Sequence, residues 1–219
     1  MSWMRQRICE GQLAVMLLTR LPAGRLRYDV PKLASAVWFF PSVGIPIGLL
    51  VGLTYIGMCY LGILPTLASI LAFSISLIVT GAMHEDGLAD CADGFGGGQS
   101  KNQKLEIMRD SRIGSFGVLA LFFIVSARIV SLSNLPPNQE VLFAVIALAM
   151  ISRLVMVFYL TFLSPARDEG LGRDASKPEV GALVISVITC IPIIFICGSY
   201  MISCVAIIAI IAFLFGWII

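Results

Sequence analysis

From Ala34 to Ile219 the chain is largely a succession of apolar stretches, each close to the ~20 residues that a helix needs to cross a bilayer core. Ala34–Leu64 is the first, with Pro41 and Pro46 predicting a bent or oblique entry. Thr66–Met83, Ile113–Leu132, Val141–Leu163, Gly181–Cys197 and Met201–Ile219 follow, separated by polar or Gly/Pro-containing turns. A chain with 58% hydrophobic and only 13% charged residues, at a mean hydropathy of +0.96, lies far from the soluble average. Residues 8–22 differ, because Leu13–Leu18 is too short to span and lies between Arg5, Arg7 and Arg20. That pattern predicts an interfacial helix rather than a signal peptide, since no small-x-small cleavage site precedes Pro22. The expected fold is therefore all-α, a polytopic helical bundle of about six transmembrane helices plus an N-terminal interfacial helix, forming one membrane-embedded domain over 1–219.

The cationic residues give an independent check on the span count. All of the 15 Lys/Arg except Arg128 and Arg153 fall in the N-terminal segment, the 84–112 loop or the 164–180 loop, while the alternate turns near Leu64, Asn134 and Gly198 hold none. Lys and Arg collect on the cytoplasmic side, so both termini and both long loops are expected there. Arg128, near a span end, is read as snorkelling or facing a polar interior, and the deeper Arg153 as facing a hydrated cavity. A net charge of +2 is too small for a nucleic-acid binder. The six cysteines show no metal or disulfide spacing and read as small buried residues.

The chemistry concentrates in Thr80–Gly98, T-G-A-M-H-E-D-G-L-A-D-C-A-D-G-F-G-G-G, which carries Glu85, Asp86, Asp90 and Asp93 within nine residues. If helical, the segment places Asp86, Asp90 and Asp93 at i, i+4 and i+7 on one face. Such a stripe suits a hard divalent cation, Mg²⁺ above all, which takes oxygen ligands and shares them with phosphate. His84 and Glu85 lack the second His of a zinc-protease motif, and His84 is read as a hydrogen-bonding group near the site. Gly96, Gly97 and Gly98 read as a flexible turn before a short amphipathic helix. Beyond it, R-D-S-R-I-G-S-F-G offers Arg109 and Arg112 either to clamp phosphate oxygens or to anchor the next span to anionic lipid headgroups, with Gly114 and Gly117 giving a ligand or a neighbouring helix close access. Arg167 lies in P-A-R-D-E-G-L-G-R-D, on the same expected face of the membrane.

The run H-E-D-G-L-A-D-C-A-D-G-F-G-G-G followed by L-E-I-M-R-D-S-R-I-G-S-F-G resembles the cobalamin synthase family, also called adenosylcobinamide-GDP ribazoletransferase. T-R-L-P at Thr19–Pro22, F-F-P-S-V-G at Phe39–Gly44, S-R at Ser152–Arg153 and A-R-D-E-G-L-G at Ala166–Gly172 extend the resemblance in the same order. It implies an inner-membrane prokaryotic enzyme that joins adenosylcobinamide-GDP to α-ribazole or its 5′-phosphate, with release of GMP and dependence on Mg²⁺. Asp86, Asp90 and Asp93 would hold the metal, and one of these acids or Glu85 would accept the ribazole hydroxyl proton. His84, Arg109, Asp110, Arg112, Arg153 and Arg167 would contact substrate. The other expected partner is membrane lipid, and a homo-oligomer is compatible with the sequence. Members of this family continue into a G-G-x-T-G-D segment, so the resemblance implies a chain lacking it, ending at Trp217-Ile218-Ile219. D-C-A-D-G also resembles the start of the CDP-alcohol phosphotransferase signature, although the rest of that signature does not follow. The competing expectations are a lipid-headgroup transferase of that type and a divalent-cation transporter. A transporter would place its acids near the bilayer midplane rather than at a span end.

Overall fold

The computed structural model describes residues 3–26 and 30–198. The described residues contain helices and no strands: α1 (Trp3–Leu18), α2 (Leu33–Ala36), α3 (Phe40–Tyr60), α4 (Pro65–Thr80), α5 (Met83–Gly97), α6 (Lys101–Ile107), α7 (Ser115–Ser133), α8 (Gln139–Phe162), α9 (Leu171–Ala175) and α10 (Val180–Cys197). Among the described residues, four helical stretches are long and apolar enough to cross a membrane, namely Leu33–Tyr60, α7, α8 and α10. The expected spans at these four places are thus present as continuous helices. The expected span at Thr66–Met83 is not a single straight helix. The sixth, Met201–Ile219, lies outside the described residues, as do Arg27 and Cys204.

At the end of α4, Gly81 adopts the left-handed conformation (φ 68°) and closes the helix by donating its N–H to Leu77 O. Ala82 is left-handed as well (φ 57°), an uncommon state for a residue with a Cβ. Two such residues in succession turn the chain, and α5 leaves α4 at 90°. The pair passes as one broken or re-entrant span, and at 16 residues α4 is short for a crossing by itself. The acidic segment is therefore a separate helix. Gly96 and Gly97 belong to it, and the expected flexible turn is confined to Gly98 and the residues just after it.

The described residues form two compact units, one made of the chain up to Leu53 with the residues from Asn138 onward, the other of Thr54–Pro137. In the first unit, Ile146, Ala147, Met150 and Ile151 of α8 form a buried core with Cys190 and Ile193 of α10. α8 also packs against α3, which presents Gly44, Gly48 and Gly52 at intervals of four residues. A Cβ on Gly44 would lie 2.6 Å from Met150 N, and one on Gly48 would lie 2.5 Å from the Cα of Ile146. A Cβ on Gly52 would lie 2.7 Å from a Leu142 side-chain carbon. The two backbones thus approach so closely that only glycine fits at the crossing, the small-xxx-small device of helices in lipid.

The N-terminal helix also belongs to this unit and begins at Trp3, earlier than the expected start at residue 8. Its inner face buries Ala14, Leu18 and, at 0% exposure, Glu10. Glu10 is fully satisfied: one carboxylate oxygen accepts from Gln6 (3.0 Å), the other from Arg7 (2.9 Å) and from Trp38 Nε1 (2.8 Å). The Arg7 guanidinium lies against the rings of Trp3 and Trp38, and the Trp38 carbonyl accepts from Ser186 of α10 (3.2 Å). A fully buried carboxylate persists because donors on two elements surround it. After Val37–Phe39, the 3-10 turn bearing Trp38, the Val37 carbonyl accepts from Phe40 N, because Pro41 has no N–H to donate to it.

The glycine crossing generates the first prediction. Gly48→Ala should lower the thermal stability of the detergent-purified protein by about 1–3 kcal/mol through overpacking. Gly57→Ala, on the same helix but with open space around it, should leave stability unchanged or slightly raised.

Candidate active site

Five of the expected site residues, His84, Glu85, Asp86, Asp90 and Asp93, lie on α5 in the second unit, and Arg109, Asp110 and Arg112 lie in the segment between α6 and α7 of that unit. Arg153 and Arg167 belong to the first unit. Arg153 is buried on α8 and donates to the Ala149 carbonyl at 2.8 Å.

Met83–Gly97 forms a helix despite Gly87, Gly94, Gly96 and Gly97 because its neighbours need the missing side chains. A Cβ on Gly94 would strike Met108 at 2.7 Å, and one on Gly98 would come within 2.7 Å of Lys104 N. A Cβ on Gly96 would fall on the Phe116 ring. These glycines let α6 and the start of α7 lie directly on α5. A capping box at the start of α6 fixes its direction: Ser100 Oγ accepts from Gln103 N, and Gln103 Oε1 accepts from Ser100 N. Gly87 is the exception, with open space where its side chain would be, beside exposed Asp86. Glu85 and Asp86 in the first turn of α5 also sit where the helix dipole favours negative charge.

The four acids have different environments. Asp86 is exposed, Asp90 half-buried and Asp93 buried at 9% exposure. Both Asp93 oxygens accept backbone hydrogen bonds across the helix pair, one from Gly114 N at 2.7 Å and the other from Gly117 N at 2.8 Å. Gly114 is the N-cap of α7 and has no side chain to cap the helix. The carboxylate of Asp93 supplies that cap from a neighbouring helix, an arrangement whose loss typically costs about 0.5–2 kcal/mol. A Cβ on Gly114 or Gly117 would collide with the carboxylate itself. Of the two readings of these glycines, close access for a ligand or for a neighbouring helix, the second is the one observed.

Glu85 is drawn to a different partner. Its Oε1 accepts from Arg128 of α7 at 2.8 Å, while its Oε2 is buried with no hydrogen-bond partner among the described residues. The Arg128 guanidinium also lies 5.4 Å from the centre of the Phe73 ring on α4. This charge in an apolar run is thus anchored to an acid and an aromatic face rather than simply snorkelling. A lone arginine in an apolar stretch and an isolated cluster of acids are the two signals from which the pairing could have been anticipated.

Asp110 and Arg112 form a bidentate pair in the exposed loop, with Arg112 Nη2 2.7 Å from the Asp110 carboxylate. The hydrogen bonds from Arg112 hold the Asp110 carboxyl below the usual carboxylate range and raise the Arg112 guanidinium in turn. Arg109 is exposed and lines a surface hollow of about 290 Å³ with Asn102, Leu105 and Glu106. Among the described residues no three His, Cys, Asp or Glu side chains are grouped closely enough to cage a metal ion. Asp86 and Asp90 lie one helical turn apart on α5.

The profile of the family described as cobalamin-5-phosphate synthase matches residues 11–219. The chain belongs to that family. It is 38% identical over 191 residues to the adenosylcobinamide-GDP ribazoletransferase of Mesorhizobium japonicum, covering 87% of this chain and 74% of the relative. The protein of the same name from Bradyrhizobium diazoefficiens is 37% identical over 183 residues, covering 83% and 70% of the two chains. That of Azorhizobium caulinodans is 43% identical over 171 residues, covering 76% and 64%. No solved structure matches the chain significantly. Membership of the cobalamin-5-phosphate synthase family agrees with the resemblance carried by the acidic run and by R-D-S-R-I-G-S-F-G. The membrane-type helices described above are accordingly those of a cobalamin-5-phosphate synthase family member.

The Glu85–Arg128 pair generates the second prediction. Arg128→Met should destabilise the protein by about 1–3 kcal/mol, because it leaves the Glu85 carboxylate without its donor. Adding Glu85→Gln should restore part of the loss, a positive coupling that a double-mutant cycle in thermal unfolding reads directly.

Proposed function

We propose that this chain is an adenosylcobinamide-GDP ribazoletransferase that works at the surface of a prokaryotic cytoplasmic membrane. The observation that carries the reading is the identity of 38% to a protein of that name over 87% of this chain. In the reaction, a hydroxyl of α-ribazole or its 5′-phosphate attacks the phosphorus on the cobinamide side of the donor diphosphate. A new O–P bond forms, the P–O bond to GMP breaks, and the hydroxyl proton passes to a carboxylate.

Asp86 and Asp90 would hold Mg²⁺, which when bound supplies positive charge to the diphosphate and the departing GMP. Their fit rests on the donor set: two carboxylates one turn apart on α5, one of them exposed, beside the open space at Gly87. Arg109 and Arg112, on the exposed segment that follows α6, would take phosphate oxygens, Arg112 exchanging part of its pairing with Asp110 for them. Proton transfer would use a carboxylate of α5 other than Glu85, whose Oε1 is engaged by Arg128. The Lys/Arg distribution supports a cytoplasmic placement of this face and of both termini.

Purified protein in detergent, supplied with adenosylcobinamide-GDP, α-ribazole 5′-phosphate and Mg²⁺, should release GMP and stop when the metal is chelated. Asp86→Asn and Asp90→Asn should each reduce turnover at least about 100-fold, the scale of losing a group that stabilises transition-state charge. Absence of GMP release from the unaltered protein would sink the reading. Orientation is checked with exposed Cys91 changed to Ser and a single Cys introduced at Ser100 or Ser133. In intact cells an impermeant thiol reagent should label position 133 and spare position 100, and the reverse would invert the topology.

A further inference from the structure

Asp93 departs most from what the spacing of the acidic run suggests. It lies on the same stripe as Asp86 and Asp90, yet both of its oxygens are turned to the backbone at the start of α7, at 2.7 and 2.8 Å. That end of α7 carries the positive pole of the helix dipole, which welcomes an anion and disfavours a second cation beside it. Gly114 and Gly117 leave no room for a Cβ between the carboxylate and the helix, so the contact is built from both sides.

The segment 109–113 hangs between two anchorages on α5. On one side Met108 and Lys104 of the α6 region lie directly on Gly94 and Gly98. On the other, Gly114 is tied to Asp93. Arg109 and Arg112 are thereby held at fixed spacing from the helix that carries Asp86 and Asp90. We propose that Asp93 is a positioning residue that clamps α7 to α5 and so sets the arginine segment in place, and that it is not a metal ligand. This rests on the reading of Asp86 and Asp90 as the metal-holding pair and of the arginines as donor-binding groups.

The two roles for Asp93 predict opposite signs. A third metal carboxylate adds repulsion in the metal-free protein, so Asp93→Asn would hold or raise its melting temperature. A clamp loses one of its two acceptors in the same variant, so the metal-free melting temperature should fall by several degrees, while Asp86→Asn, at an exposed position, holds or raises it. With Mn²⁺ alone as the probe, followed by electron paramagnetic resonance, Asp86→Asn and Asp90→Asn should weaken binding at least tenfold. Asp93→Asn should leave it within about threefold. Gly117→Ala, which removes no acid, should behave as Asp93→Asn does. Both should raise the KM for adenosylcobinamide-GDP at least tenfold while the Mg²⁺ concentration for half-activation stays within about threefold.

An Asp93→Asn protein with undiminished metal-free stability, or with tenfold weaker Mn²⁺ binding, overturns the proposal. So does an unchanged donor KM in both variants, which would reduce the contact to simple fold support. If Asp93→Asn cannot be purified, Gly117→Ala decides by the same measurements, and wild-type stability and KM in it overturn the clamp. Failure of the underlying reading looks different: Mn²⁺ binding would then be insensitive to Asp86→Asn and Asp90→Asn, whatever Asp93 does.

Discussion

Lipid tails are as apolar as leucine, so helices in a bilayer gain little by burying apolar side chains against one another. What holds them must come from close backbone approach and from polar groups satisfied inside the protein. The first unit follows this rule at Gly44 and Gly48, where α3 meets the backbone of α8, and at Gly52, where it meets the Leu142 side chain. The second follows it at Gly94, Gly96 and Gly98, where α6 and Phe116 take the places of absent Cβ atoms. The many exposed leucines, isoleucines and phenylalanines, such as Phe122, Phe123 and Ile188, then need no protein partner, because lipid covers them.

Polar contacts supply the specificity that apolar packing cannot. Glu10 is surrounded by Gln6, Arg7 and Trp38, joining the N-terminal helix to the entrance of the first long helical stretch. Glu85 meets Arg128, and Asp93 meets the first turn of α7. Removing one partner of such a pair is far more damaging than replacing both, since it strands a charge or a donor away from water. The acidic run is thus divided: Glu85 and Asp93 tie α5 to α7, Asp86 is exposed and Asp90 is half-buried.

Much of this was legible in the sequence, and the reasons differ from element to element. The long helical stretches were visible because hydropathy over twenty residues is a collective signal, insensitive to any one side chain. The break between α4 and α5 was half visible: Gly81 is an ordinary helix stop, but nothing in the sequence marks Ala82 as left-handed. Gly96 and Gly97 suggested flexibility because glycine's local preference is for turns, whereas tertiary packing keeps them helical. The spacing of Asp93 gave its position on the helix face and nothing of its partners, which lie 21 and 24 residues away. Glu10 carried no sequence signal beyond being an acid among arginines. The stripe at Gly44, Gly48 and Gly52 was readable as a helix-packing pattern and is the one site of close approach that spacing alone could have supplied.

The right angle at Gly81–Ala82 bears on the membrane as well as on the protein. A helix of 16 residues rises about 24 Å, some 6 Å less than a typical hydrocarbon core. Standing along the bilayer normal, α4 therefore ends before the core does, and α5 leaves it at a level that acyl chains would otherwise occupy. Lipid responds to such a mismatch by thinning. Exposed Asp86, in the first turn of α5, would then lie in a dimple of the bilayer surface, where water and headgroups reach inward.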